Sequence, residues 1–255
     1  MTLGEWKKLV GGVADRMKQY TRPYVTPIRT GNEWGVGLLG TGSYIATGER
    51  KFLLTCEHVI RARSGIENQF WGSDTVYGLP DPFVDDMQLD VVFAPVPDDI
   101  WNAEQHQAKL IRLEEFAPKH QPVQHELLFF RGFATENAHY GFGIHEANAT
   151  GYCSQEPPID PIRPEWLEML WKSDVMEFTP DTSDEMKSKM RHHDPHGFSG
   201  SLVWNTRYVE KTAARQEWKP EYAVVTGLLL RHFPDRKTLA ALRVERLKEW
   251  IESKL

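Results

Sequence analysis

From residue 30 onward this chain is built of short apolar runs closed by glycine or proline, and helical periodicity is confined to its two ends. That rhythm leaves few options. Runs too short for helices, with no helices alternating between them, favour an antiparallel sandwich or barrel over any α/β plan. Strands are expected over 35–40, 43–46, 51–55, 69–73, 75–79 and 90–96, with a hairpin turn at Thr47-Gly48-Glu49-Arg50. After a Pro- and Gln-rich stretch at 117–124, a second set is expected over 125–134, 141–149, 175–179, 201–205 and 223–231. The segment 154–173 begins Pro-rich and reads as an insertion between strands. Near the N-terminus Trp6, Leu9, Val10, Val13, Met17 and Tyr20 fall at helical spacing, although Gly11 and Gly12 each cost about 1 kcal/mol against alanine. At the other end Val244, Leu247 and Ile251 share one helical face.

Composition narrows the function classes. A chain of 255 residues with 40% hydrophobic and 26% charged residues can bury a full core without staples. The net charge is −6 and Lys and Arg are scattered, which excludes a phosphate-tracking stripe, so no nucleic-acid partner is expected. Two cysteines, Cys56 and Cys153, are too few for a disulfide framework and read as separate buried thiols. No apolar run is long enough to span a bilayer, so no membrane partner is expected. Charges at Glu5, Lys7, Lys8, Asp15 and Arg16 break up any secretory signal, which points to the cytoplasm.

Three local patterns carry chemistry. In Phe52-Leu53-Leu54-Thr55-Cys56-Glu57-His58 an apolar strand delivers a histidine to its end, a good position for a general base. In Leu89-Asp90-Val91-Val92-Phe93 a carboxylate enters an apolar strand, where burial requires a partner such as an imidazole N–H. In His196-Gly197-Phe198-Ser199-Gly200-Ser201 a serine is bracketed by glycines and followed at once by an apolar strand. Glycines allow positive φ and close backbone approach, so amides can converge into an oxyanion hole. Taken singly, a structural histidine, a solvated aspartate and a Gly-Ser loop would explain each pattern. Their order explains more.

His58, Asp90 and Ser199, in that order and with a Gly-x-Ser-Gly turn, resemble the chymotrypsin-like serine peptidases, closest to the bacterial intracellular type. Gly40-Thr41-Gly42-Ser43 with 52–55, Val225-Thr226-Gly227-Leu228 and the closing helix extend the likeness over about residues 30 to 255. The resemblance implies an all-β fold of two antiparallel β-barrels between an N-terminal and a C-terminal helix. Its parts would be a helix and lead-in at 1–29, a first barrel at 30–120 and a second at 121–255. It implies a serine endopeptidase of peptide or protein substrates, with His58 as base, Asp90 as its orienting carboxylate and Ser199 as nucleophile. The amides of Gly197 and Ser199 would form the oxyanion hole, and His193, His196 and Leu230 would line the substrate pocket. Neither metal nor cofactor is implied. A catalytically silent module that binds a peptide or protein is the alternative.

The departures are specific. Phe198 stands where zymogen-activated members carry an aspartate, so Lys8-Leu9-Val10-Gly11-Gly12 would have no switch to throw if cut. Leu230 stands where many members place a serine that bonds the triad aspartate, which leaves Asp90's support open. Glu57, beside the histidine, reads as solvated. His192, His193 and His196 with Asp194 form a rival metal-type cluster, but Pro195 breaks the run.

Overall fold

The computed structural model describes residues 3–32, 35–61, 65–79, 83–103, 105–141, 144–172, 176–179, 181–191 and 193–255. The first helix forms as its spacing predicts. α1 (Leu3–Thr21) buries Val13, Ala14 and Met17, so packing of one apolar stripe outweighs its two central glycines. A single 3-10 turn with Pro23 then redirects the chain.

The first sheet takes β1 (Val25–Asn32), β2 (Gly35–Thr47), β3 (Arg50–Thr55), β4 (Ile66–Gln69), β5 (Val76–Gly78), β6 (Val84–Asp86), β7 (Val91–Pro95) and β8 (Ile111–Arg112). One-turn helix α2 (Glu57–Ile60) follows β3, and α3 (Asp98–Ala103) follows β7. The order is β5-β4-β1-β2-β3-β7-β6, antiparallel throughout, while β8 joins β2 in parallel. β2 and β3 meet in the expected hairpin, whose two-residue turn sets Gly48 at φ 57°. The second sheet takes β9 (Leu128–Gly141), β10 (Ile144–Ser154), β11 (Trp166–Leu170), β12 (Leu202–Asn205), β13 (Val224–Phe233) and β14 (Thr238–Arg243), ordered β10-β9-β12-β13-β14-β11. Helices α4 (Asp184–Lys189) and α5 (Tyr208–Ala213) lie in its connections, and α6 (Val244–Ser253) closes the chain.

Two antiparallel β-units between an N- and a C-terminal helix are therefore present. Hydrogen bonding does not close either into a barrel among the described residues. The outer strands of the first sheet, β5 and β6, are three residues each and are not joined to one another among the described residues. Other expectations shift locally. The runs at 35–40 and 43–46 are one strand, β2. The run at 69–73 is displaced to β4, and 176–179 is irregular. Val175, at the head of that last run, lies outside the described residues. β1 begins at Val25, inside the segment read as lead-in, and β11 lies within the segment read as an insertion.

One hydrophobic core runs through both sheets, from Tyr44, Phe52 and Phe93 to Leu228, Leu230 and Trp250. α6 caps it with Val244, Leu247, Trp250 and Ile251, the face its spacing predicts. A second core, holding Phe130, Met169, Trp171, Phe198 and Leu229, lies within the second sheet. Among the described residues no helix is long and apolar enough to cross a membrane.

Candidate active site

The first sheet supplies a histidine and a carboxylate. β3 ends at Thr55, and α2 makes one turn that lifts His58 toward solvent, its side chain 42% exposed. Asp90 sits where the turn after β6 enters β7, buried and at φ 60°, a left-handed conformation that aspartate tolerates better than most side chains. That bend turns its carboxylate back onto α2. Oδ2 lies 2.8 Å and Oδ1 2.9 Å from His58 Nδ1, and Oδ1 also accepts the His58 backbone N–H at 3.0 Å. Arg231 Nη2, from β13, reaches Oδ2 at 3.3 Å. Burial alone would push the Asp90 pKa up. The side-chain and backbone hydrogen bonds from His58, with the charges of His58 and Arg231, more than offset it and hold the carboxyl below its usual range.

The second sheet supplies the serine turn. Gly197 and Gly200 stand at φ 97° and 90° on either side of Phe198-Ser199. Neither position accepts a side chain. A Cβ on Gly200 would sit 1.9 Å from the Thr41 carbonyl oxygen and 2.3 Å from Thr55 Oγ1, and one on Gly197 would sit 2.4 Å from the Phe133 oxygen. Hydrogen bonds stitch the turn into both sheets. Gly200 donates to the Leu229 oxygen at 2.8 Å, Thr41 N–H donates to the Ser199 oxygen at 2.9 Å, and Thr41 Oγ1 donates to the Gly197 oxygen at 2.8 Å. Phe198 is buried among Phe130, Tyr152 and Trp171, with ring centroids 5.3, 5.4 and 6.0 Å away. Among the described residues the N–H groups of Gly197 and Ser199 have no hydrogen-bond partner.

The two halves meet at Gly40, whose Cβ position would touch both the Val59 side chain and the Ser199 oxygen. Cys56 joins them too, donating from Sγ to the Leu229 oxygen at 3.1 Å. Ser199 Oγ, however, donates to the Leu230 oxygen at 2.8 Å, and no hydrogen bond joins it to His58 among the described residues. The structure thus pairs His58 with Asp90, while the Ser199 hydroxyl is bonded to the Leu230 carbonyl and not to that pair.

The other expected residues divide. His193 and His196 are exposed, and His196 Nδ1 pairs with Asp194. Leu230 turns its carbonyl, not its side chain, to Ser199, because the side chain is buried in the first core. His192 lies outside the described residues. Glu57 is not solvated: it is buried and gripped by Arg61 through Nε at 2.7 Å and through Nη2. Arg231 was not foreseen, since sequence gives no sign of a partner so distant in the chain. Among the described residues the group of metal-type donors lying within 4.8 Å of one another is Cys56, His58 and Asp90. Burial pushes the Cys56 thiol well up, its proton is held by a carbonyl, and Asp90 is committed to His58. That set is organised as a hydrogen-bonded cluster, not as a thiolate ligand set.

No family model matches the chain, and no curated protein matches it in sequence. Solved structures match its fold. A serine endoprotease from Yersinia pestis aligns with TM-score 0.57 and 12% identity over 94% of this chain, which spans 65% of that enzyme's length. The Rv3671c protease of M. tuberculosis, in its inactive form, aligns with TM-score 0.55 and 14% identity over 95% of this chain and 94% of its own. The MamO protease domain of Magnetospirillum magneticum aligns at 0.51 and 12%, over 92% and 97%. The fold is that of the chymotrypsin-like serine proteases.

Proposed function

We propose that the chain is a serine endopeptidase that cleaves peptide or protein substrates through His58, Asp90 and Ser199. The observation that carries this reading is the His58 Nδ1 contact to Asp90 at 2.8 Å, set beside a serine turn whose glycines admit no side chain. In the mechanism Ser199 Oγ leaves the Leu230 carbonyl, gives its proton to His58 Nε2 and attacks the scissile carbonyl carbon. Asp90 holds the imidazole in the tautomer that accepts at Nε2 and stabilises the imidazolium that forms. The unpartnered amides of Gly197 and Ser199 support stabilisation of the developing oxyanion. His58 returns the proton to the leaving amine, and water then hydrolyses the acyl-serine by the same route. In this reading the His58- and Asp90-bearing unit and the Ser199-bearing unit are the two functional halves, divided near residue 120. The free thiols Cys56 and Cys153 support a cytoplasmic location.

The test is covalent labelling with a fluorophosphonate. Wild type should label at Ser199, while Ser199→Ala should not label and His58→Ala should label far more slowly. EDTA should leave the rate unchanged. Complete inertness of folded wild type would leave the silent binding module instead, and a loss in EDTA that zinc restores would reassign Cys56, His58 and Asp90 to a metal.

A further inference from the structure

β13 is paired with β12 only from Val224 to Leu228, while β14 follows its other edge through Phe233. Leu229 continues the β12 edge by exchanging bonds with Gly200 and Ser201, and the Leu230 carbonyl takes the Ser199 hydroxyl at 2.8 Å. Beyond Leu230 that edge has no strand partner among the described residues. An extended peptide can pair with such an edge. One that reaches Ser199 along it passes Arg231 within a residue or two of the serine, since an extended chain advances about 3.3 Å per residue.

Arg231 is only partly spent. Its Nη2 reaches Asp90 Oδ2 at 3.3 Å, on a carboxylate that already accepts two bonds from His58. Among the described residues it makes no other hydrogen bond or ion pair, and its side chain is 48% exposed. A guanidinium carries five N–H donors, so most of this fork is left over. The fork is nonetheless held, with Cζ 5.4 Å over the Trp166 ring. Arg163 Cζ lies 4.8 Å over the same ring, and Arg243 Nε bonds the Trp166 carbonyl at 2.9 Å. Against these three cations stand Glu165, 3.6 Å from Arg163, and the buried Asp90. In a chain of net charge −6 this corner beside the serine is cationic. Support of Asp90 alone does not account for it, because half-exposure screens the very attraction that such support needs. A planar fork backed by an aromatic ring and open to solvent matches a carboxylate. Resting on the reading of the chain as a serine endopeptidase, we propose that it selects substrates with an acidic side chain within three residues of the cut, and that Arg231 reads that side chain.

The test uses the full chain and a peptide library in which Glu replaces Gln, one position at a time, at the three residues on either side of the cut. At one of these positions kcat/KM should be about fivefold higher for Glu than for Gln, and the ratio should shrink as salt is added. Arg231→Gln should bring the ratio to one, and Arg231→Lys should keep part of it. Lost support of Asp90 lowers kcat for both peptides alike, so the ratio isolates the contact with the substrate. Protection of Ser199 from a fluorophosphonate by the same peptides reads the preference even where none is cleaved. Equal ratios at every position in wild type would overturn the proposal, as would a Glu preference that Arg231→Gln leaves intact. The first of these is read on wild type alone, should the variant fail to fold. Fluorophosphonate labelling of Ser199 separates the two readings. A folded chain that labels but ignores Glu refutes only the acidic preference, whereas one that never labels refutes the peptidase and the preference with it.

Discussion

The two halves of the candidate site are held in place by different physics. The serine turn is fixed by backbone and packing: two glycines at positive φ, hydrogen bonds into both sheets and a phenylalanine buried among three aromatic rings. The His58–Asp90 pair is fixed by charge and hydrogen bonds on a one-turn helix, with the imidazole open to solvent. A region held by sterics fails by unfolding, whereas a region held by side-chain electrostatics fails by misorienting while the fold survives. Substitutions in the two halves should therefore separate stability from activity.

The largest separation is expected at the reacting groups. On any peptide substrate that the protein cleaves, Ser199→Ala or His58→Ala should lower kcat by about 10⁴-fold, a loss of about 5.4 kcal/mol in transition-state stabilisation. The midpoint of urea unfolding should hardly move in Ser199→Ala, which loses only its bond to the Leu230 carbonyl, whereas His58→Ala also takes the imidazole from buried Asp90 and should cost about 1–3 kcal/mol. An equally large loss of stability would show that the pair is structural and break the contrast. Gly200→Ala should do the reverse. Its Cβ would arrive 1.9 Å from the Thr41 oxygen, so the turn must move away from β2. About 4 kcal/mol of stability should go, or the folded protein should be lost outright. Phe198→Ala follows at about 3 kcal/mol from the cavity it opens, and fluorophosphonate labelling should slow with it. Labelling at the wild-type rate in folded Phe198→Ala would mean that the glycines alone hold Ser199.

What the sequence revealed follows the same division. Sterically forced features were legible, because glycine spacing around Ser199 and the apolar runs into His58 and Asp90 leave local traces. β1 was hidden because Pro27 and Gly31 interrupt it, although its pairing with both β2 and β4 makes it a central strand. β11 and β14 escaped for another reason. After Trp166 and Thr238, Leu-Glu-Met-Leu and Leu-Ala-Ala-Leu are residues of good helix propensity, and burial on both faces accompanies their strand conformation. Glu168 shows how that is tolerated: it is buried, and its carboxylate takes bonds from Thr238, Arg236 and the Ile162 N–H. Long-range side-chain pairs left no trace. Leu230 pointed to a missing support for Asp90, but that Arg231 reaches it depends on where β13 runs, which composition cannot tell.

Arg231 gives the smallest and most discriminating test of the contrast. It lies 3.3 Å from Asp90 Oδ2 but is 48% exposed, so solvent screens much of its attraction. Two hydrogen bonds from His58 hold the same carboxylate and should do most of the positioning. Arg231→Gln should therefore lower kcat only about threefold and cost about 0.5 kcal/mol at neutral pH, with Arg231→Lys restoring part of each. The sign of the pH dependence follows from Asp90. Its carboxyl is held below the usual range in the fold, so its ionised form stabilises the protein fully above the unfolded value near 3.9. That contribution fades as pH falls through the lower folded value and the carboxylate takes up a proton. The stability gap between wild type and Arg231→Gln should accordingly be full at pH 7 and close as the pH falls through the lowered folded value, as read from urea unfolding at each pH. A gap that persists unchanged in acid would mean that Arg231 acts by packing, over Trp166 at 5.4 Å for instance, and not through Asp90. A kcat loss as deep as that of His58→Ala would instead place Arg231 among the groups on which the charge-held half of the site depends.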